Sequence, residues 1–284
     1  MILGGNEFYA TIAAAIDDFL EYGFDNQDRL NMWLDRIQAS ARRSLIPEAA
    51  LRRTLQDTLS QMYNRVTRTA RLMKAHPGVA QYTIELIKPK LRAELDRRIL
   101  ASANLITLNR EASIARTLKR FAGWASSIPM GGTEVRQRKE VKEQVRRGIS
   151  ALPFEERRVI IDQGHKLNAA INDIVAVDGG AIALIWRHVN ERSEAYTPRP
   201  EHEARDGKIY VLRDTWALKD GLIKLAGAQY YDTITAVGEE IYCRCTAEYL
   251  YALRDLPGNM LTSKGRAKLE EARKTIRRGL IHAT

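Results

Sequence analysis

The stretch AIALIWRHV, residues 181–189, decides the fold class of this chain. It is short, apolar, and rich in β-branched and aromatic residues, and VDGG precedes it, so it predicts a strand. GKIYVL, residues 207–212, has the same character. The sequence before residue 150 instead has helical spacing. We therefore predict an α+β protein with a mostly α-helical N-terminal half of long amphipathic helices and a small α+β C-terminal domain with a short sheet.

Three further segments complete the predicted C-terminal domain. LNAAINDIVAVDGG, residues 167–180, is typical of a helix, and EEIYCRCTAEYLY, residues 239–251, predicts another strand. TSKGRAKLEEARKTIRRGL, residues 262–280, returns to helical spacing, with Thr262 or Ser263 as its N-cap.

The N-terminal half predicts several long helices. In residues 47–76 apolar side chains recur at steps of three, four or seven, which predicts one amphipathic helix. Two earlier helices are predicted, one through residues 8–19 that ends near Gly23 and one through residues 30–41; a later one begins after Pro89 and stops at SSIPMGG. A basic helix over residues 134–149 then leads to LPFEERR, where we place the boundary between domains 1–150 and 151–284.

Length and composition indicate a folded protein. The 284 residues are 45% hydrophobic and 28% charged, and no apolar run approaches the roughly 20 residues that a membrane span requires. We expect a soluble protein made in the cytoplasm. Two cysteines do not provide a disulfide framework, so reduced thiols are expected.

The net charge of +10 is concentrated in the middle of the chain. Residues 36–150 hold 24 Lys and Arg against 9 Asp and Glu, a net charge of +15. This excess favours an acidic partner, either double-stranded DNA bound without sequence specificity or an acidic protein surface. Arg65, Arg68 and Arg71 are the candidate phosphate contacts. The alternative is an ordinary solvated helical face.

Both cysteines stand in one tripeptide, Cys243-Arg244-Cys245. In a strand the two thiols project to the same side. They could bind Zn²⁺ if one or two further ligands came from elsewhere in the chain, and His202 is the leading candidate, with Asp206 after it. The alternative interpretation is that the cysteines are small buried apolar residues and that His202 bonds to backbone.

Known catalytic signatures are missing from the sequence. There is no Gly-rich nucleotide loop with the required spacing, no G-x-S-x-G elbow and no H-E-x-x-H pair. Asp162 with His165, or His188, are possible acid–base groups, but isolated pairs of this kind are usually structural. We therefore interpret the protein as a non-enzyme.

Two separated stretches, residues 186–210 and 238–249, together resemble the phage Mu F-type head morphogenesis family, the minor head or minor capsid proteins. The shared pattern runs from a strand with Trp, through an Arg-Pro-x-His-x-x-x-Asp-Gly turn, to Cys-Arg-Cys; here it comprises Trp186, Arg199, Pro200, His202, Asp206, Gly207, Cys243, Arg244 and Cys245. The resemblance covers roughly residues 165–250. The chain departs from the family at VGEEIY, where members commonly carry a Pro-x-His-Pro approach to the cysteines.

The resemblance implies a structural component of a tailed phage or prophage. Such a protein is made with the portal and capsid proteins, resides in the virion head or at the head–tail junction, and acts in assembly, packaging or DNA delivery. The expected partners are the portal, other head or neck proteins and further copies of the chain in an oligomer or ring, without a membrane. Two alternatives are an enzyme acting on the packaged DNA, such as a nuclease or transferase, and a cytoplasmic DNA-binding module.

Overall fold

The computed structural model describes residues 5–133, 138–189 and 199–281. The chain divides into two compact units that are interleaved in sequence. The first unit consists of Met1–Leu59 and Arg98–Ile161, and the second of Ser60–Arg97 and Asp162–Thr284. Neither unit coincides with the predicted domains 1–150 and 151–284. The separate roles expected for those two domains stay predictions.

Helices dominate the first half of the chain, which confirms the predicted fold class. The α-helices in the described residues are α1 Gly5–Tyr22, α2 Gln27–Arg43, α3 Glu48–Val66, α4 Thr69–Ala75, α5 Gln81–Ala125, α6 Arg138–Ser150, α7 Leu152–Asp178, α8 Pro200–Glu203, α9 Trp216–Lys219 and α10 Ser263–Ile281. None of these helices is long and apolar enough to cross a membrane. The basic helix predicted over residues 134–149 is α6, and its first four predicted positions lie outside the described residues.

The core of the first unit is built from the apolar stripes of its helices. One or two side chains per turn of α1 are buried, because the apolar residues follow the helical period. The core consists mainly of Phe8, Ile12, Ile16, Phe19, Leu30, Trp33, Ile37, Ile114, Phe121 and Leu152. As predicted, α1 ends before Gly23, which has a φ of 72° and lies so close to the Pro129 carbonyl that a Cβ would overlap it.

The prediction of a single helix over residues 47–76 is wrong, because the structure has two helices there, α3 and α4. Arg68 has an extended ψ of 123° and interrupts the helix. Val66 and Leu72 are both buried. Residues six apart on an unbroken helix point about 120° away from each other, so the break allows both side chains to be buried.

The prediction that a helix begins after Pro89 is also wrong. Helix α5 begins at Gln81 and contains Pro89 in its interior. An interior proline costs about 3 kcal/mol because it removes a hydrogen bond and crowds the preceding turn. The helix continues through it because four apolar side chains of this region are buried, each contributing about 1.5–3 kcal/mol. They are Ile84, Ile87, Leu91 and Leu95.

The second unit contains a small mixed sheet. Its strands are β1 Ala183–Arg187, β2 Ile209–Val211, β3 Gln229–Tyr230 and β4 Thr246–Leu250. Their order is β3-β2-β1-β4, with β1 antiparallel to both neighbours and β2 parallel to β3. Leu184 pairs with Tyr210 on one side and Tyr249 on the other. The strands predicted at residues 181–189 and 207–212 are confirmed.

The central strand β1 is buried on both faces, which explains why its sequence is almost continuously apolar. Ala183 packs with apolar residues that include Leu222 and Met260. On the opposite face Leu184 and Trp186 pack in the cluster that contains both cysteines. The candidate site therefore lies on the Trp186 face of the sheet.

Candidate metal centre

The site is organised around the end of β1. The Gly207 amide donates to the Trp186 carbonyl at 2.9 Å, and the Trp186 amide donates to the Lys208 carbonyl at 3.0 Å. Gly207 has a φ of 71°, a conformation that favours glycine. The Asp206 carboxylate accepts a hydrogen bond from the His188 amide at 2.8 Å. These bonds hold the turn that follows α8 against the strand.

Asp206, the reserve metal ligand suggested by the sequence, does not join the cysteines. Its Oδ1 is bonded to backbone, and it is not among the clustered ligand groups found in the described residues. Its role is to fix the path of the chain between α8 and β2.

His202 projects from the one-turn helix α8 toward the two thiols. Its Nδ1 lies 3.7 Å from Cys243 Sγ and 3.6 Å from Cys245 Sγ. The three side chains are buried, with exposed fractions of 0%, 2% and 5% for His202, Cys243 and Cys245. Their ligand atoms all lie within 4.8 Å of one another. The structure therefore brings together the three residues that the sequence suggested as metal ligands.

The reason given for that cluster, alternation along a strand, is wrong. Strand β4 begins only at Thr246, and both cysteines lie in the irregular segment between the turn that ends at Tyr242 and that strand. Tyr242 has a φ of 60°, and its amide donates to Asp162 Oδ1 at 2.6 Å. The Cys243 amide donates to the Glu240 carbonyl at 3.2 Å. A turn closed at Cys243, rather than a strand, therefore leads into the cysteines.

Glu240 supports His202 from the side opposite the thiols. Its Oε1 lies 3.5 Å from His202 Nε2, and its Oε2 lies 2.7 Å from Arg199 Nε. Arg199 also donates to the Ile241 carbonyl at 2.9 Å. A carboxylate beside the second imidazole nitrogen orients the ring and increases the basicity of a metal-ligating histidine. This arrangement favours Nδ1 as the ligand atom.

Aromatic and cationic groups enclose the other side of the cluster. The Trp186 and His202 rings are 5.3 Å apart and approach edge to face. The Arg205 guanidinium lies 5.0 Å from the centre of the Trp186 ring. Trp186 is fully buried, so the donors face little water on this side.

The two thiols titrate as a pair. The hydrogen bond with Cys245 lowers the pKa of Cys243 to about 5. The same hydrogen bond, together with burial, raises the pKa of Cys245. One thiolate at neutral pH is therefore stabilised by the neighbouring thiol.

This donor set is suitable for Zn²⁺. Zn–S and Zn–N bonds of about 2.3 and 2.0–2.1 Å give a tetrahedral S···N edge of about 3.6 Å. The distances from His202 Nδ1 to the two sulfurs match that edge. Bound Zn²⁺ would draw both cysteines into the thiolate form and link α8 to the turn before β4.

The other residues singled out by the sequence occupy different places. The Asp162 carboxylate accepts a hydrogen bond from the Tyr242 amide and pairs with Lys166 Nζ at 3.4 Å. Asp162 is therefore a structural group. His165 is exposed and lines a cavity of about 200 Å³ together with Arg244 and both cysteines.

Arg65, Arg68 and Arg71 lie at the end of α3 and the start of α4. All three are exposed, and in the described part of the chain none has an acidic partner. Their charges are therefore available to an anionic partner.

Sequence reasoning missed two neighbours of the cluster. His188 was considered only as an acid–base group, yet its Nδ1 lies 3.4 Å from Cys245 Sγ. Glu240 was not considered at all. Glu240 stands three residues before Cys243, and this spacing allows a turn in which the Cys243 amide donates to the Glu240 carbonyl. That spacing could have placed Glu240 beside the cysteines.

Comparisons with known proteins give no match: no family model matches the chain, and neither a curated protein nor a solved structure is significantly similar to it.

Proposed function

We propose that this chain is a structural minor head protein of a tailed phage or prophage, of the Mu F type, acting at or near the portal in capsid assembly and in packaging or delivery of the genome. One observation carries the proposal. The three segments of the Mu F-like pattern are spread over residues 186–245, yet residues from each segment contact one another around the end of β1.

The contacts join the strand, the turn and the two cysteines of that pattern. Trp186 packs on His202, Gly207 bonds to the Trp186 carbonyl, and His202 contacts both cysteines. A chance likeness of short motifs would not require such convergence. The contacts therefore support the view that these residues form one structural module.

The partners of this module are part of the same proposal. Portal and other head or neck proteins are the protein partners, and further copies of the chain form an oligomer or ring. The exposed Arg65, Arg68 and Arg71 favour additional contact with double-stranded DNA through its phosphates.

The test is the protein composition of the particles made by the phage or prophage that encodes the chain. Particles are purified on a density gradient after induction and analysed by mass spectrometry, with particles from a strain lacking the gene as control. We expect the chain to co-purify with portal and capsid proteins. Portal-containing particles that lack the chain while it accumulates in the lysate would contradict the proposal.

A further inference from the structure

His188 lies against the cluster of His202, Cys243 and Cys245. It follows β1 directly and is only 9% exposed. Its Nδ1 lies 3.4 Å from Cys245 Sγ, and its Nε2 is buried without a hydrogen-bond partner among the described residues. A buried imidazole nitrogen without a partner is costly and requires an explanation.

We propose that His188 is the fourth protein ligand of a structural Zn²⁺ site whose other ligands are His202, Cys243 and Cys245. The set is Cys₂His₂, a donor combination that holds structural Zn²⁺ in many proteins. The inference does not depend on the proposed role in the virion.

The distances favour this assignment. The S···N contact between Cys245 and His188 is 3.4 Å, close to the tetrahedral edge of about 3.6 Å expected for Zn²⁺. With the two contacts of His202 Nδ1, at 3.7 and 3.6 Å, three of the sulfur–nitrogen edges have the required length.

One movement completes the site. His188 is outside the set of ligand atoms that all lie within 4.8 Å of one another, so its ring must turn toward Cys243 and His202. Its backbone is fixed by the bond from its amide to Asp206, but its Nε2 has no hydrogen bond to break. Turning the ring therefore breaks no hydrogen bond of Nε2.

Burial distinguishes this closed site from an open one. A catalytic zinc site keeps one position for water or substrate, whereas a structural site has four protein ligands. All four side chains here are at least nine-tenths buried, with Trp186 covering one side. A site of three ligands facing the adjacent cavity is the competing arrangement, and a metal-free packed cluster is the other.

Cobalt substitution separates the three arrangements. The full chain is prepared without metal and titrated with Co²⁺, whose visible d–d bands report coordination geometry and whose ultraviolet charge-transfer band reports thiolate ligands. Zn²⁺ affinity is then measured by competition with a chromophoric chelator. We expect tetrahedral Co²⁺ with two thiolates, and for His188→Asn altered d–d bands with Zn²⁺ affinity at least about tenfold weaker.

Two further variants serve as controls. His165→Asn removes a histidine from the wall of the adjacent cavity and is expected to leave both the spectrum and the affinity unchanged. His188→Cys supplies another zinc ligand, so it should restore tight binding and raise the thiolate band by about half. This variant keeps the test decisive if His188→Asn folds poorly.

Three outcomes would overturn the proposal. Wild-type affinity and spectrum in His188→Asn would show that His188 is not a ligand. A five-coordinate or water-bound Co²⁺ spectrum in the wild-type chain would show an open site. No Co²⁺ or Zn²⁺ binding by the wild-type chain would leave only a packed cluster.

Discussion

Arg110 and Glu156 form a buried ion pair in the first unit, with Nε and Oε1 2.7 Å apart and side chains 8% and 6% exposed. Arg110 also donates to the Ile46 carbonyl at 3.1 Å. Removing one partner of such a pair takes the opposite charge away from the buried group that remains, whereas replacing both with apolar groups removes both buried charges.

We therefore expect Arg110→Met to lower the free energy of unfolding by about 3–5 kcal/mol. The double change Arg110→Met with Glu156→Leu should recover much of that loss. Denaturant unfolding of the two variants and the wild type measures the difference. Equal losses in the single and double variants would contradict this account of the pair.

His76 is a buried histidine in the second unit. Its Nδ1 lies 2.7 Å from the Tyr251 hydroxyl, and its Nε2 lies 3.0 Å from Asn172 Oδ1. Since an amide oxygen only accepts, Nε2 carries the proton and Nδ1 accepts from Tyr251. Burial lowers the pKa of His76 below its usual value of 6.5, so the folded protein favours the neutral ring.

The sign of the pH dependence follows from that lowered pKa. The unfolded chain takes up a proton at His76 before the folded chain does, so stability from the neutral ring is present above about pH 6.5 and is lost as the pH falls toward the folded pKa. The stability advantage of the wild type over His76→Gln should therefore be largest near pH 7.5 and shrink by pH 5.5. Denaturant unfolding at several pH values measures it.

A control and a neighbouring group complete this experiment. His165→Gln, the same substitution at an exposed histidine, is the control. Burial raises the pKa of Asp173, which titrates in the opposite sense, so only the difference between wild type and variant isolates His76. A constant difference for His76→Gln would refute the assignment.

Single residues of the site were predictable only where their chemistry is distinctive. Two cysteines in one tripeptide and a histidine in a polar turn suggested His202, Cys243 and Cys245, and the structure brings them together. Their geometry was not predictable from strand alternation, because Tyr242 leaves the extended conformation. His188 was predicted only as a possible acid–base group, because its contact with Cys245 joins residues 57 positions apart in the chain.

Helices and strands were predicted well where one period dominates. The helices α1 and α2 follow their apolar spacing, and β1 follows its continuous apolar run. The predictions failed where tertiary burial overrides a local signal, as it does at Pro89 and at the break near Arg68. The sequence around such a residue does not show how much apolar surface the flanking helix buries against the rest of the fold.

Two helical glycines give an element-scale test with opposite signs. Gly123 in α5 has open space where a Cβ would be added, but at Gly265 in α10 the Cβ would overlap the Leu222 carbonyl. Gly123→Ala should raise the free energy of unfolding by about 0.5–1 kcal/mol, because alanine loses less backbone entropy in a helix.

Gly265→Ala should instead lower the free energy of unfolding by about 1–3 kcal/mol, because the helix must shift away from a backbone carbonyl. Each variant serves as the control for the other, since the substitution is the same. If both variants shift stability in the same direction, close approach at Leu222 does not explain the glycine at position 265.

At the scale of the whole molecule, the fold class was predictable because helical and strand periods occupy different parts of the sequence. The compact units were not, because each combines separated pieces of the chain through packing. Contacts between distant pieces leave little trace in local composition. For the same reason, the contact of His188 with the candidate metal centre could not be predicted from the sequence.

The proposed contact with DNA would involve the whole charged surface. Binding to duplex DNA should be independent of sequence and weaken steeply with salt, and changing Arg65, Arg68 and Arg71 to Glu should reduce the salt slope by about 3. The matched control changes three other exposed arginines to Glu, each of which already has an ion-pair partner. They are Arg187, Arg213 and Arg273. Equal effects of the two triple variants, or no binding at low salt, would exclude the proposed contact.

The proposed Zn²⁺ site of His188, His202, Cys243 and Cys245 should stabilise the unit that contains the sheet. The most direct test combines the metal content of protein purified without chelator with thermal unfolding before and after a chelator is added. We predict about one equivalent of zinc and a Tm that falls with chelator and recovers with added Zn²⁺. Less than roughly a tenth of an equivalent together with an unchanged unfolding curve would contradict the claim.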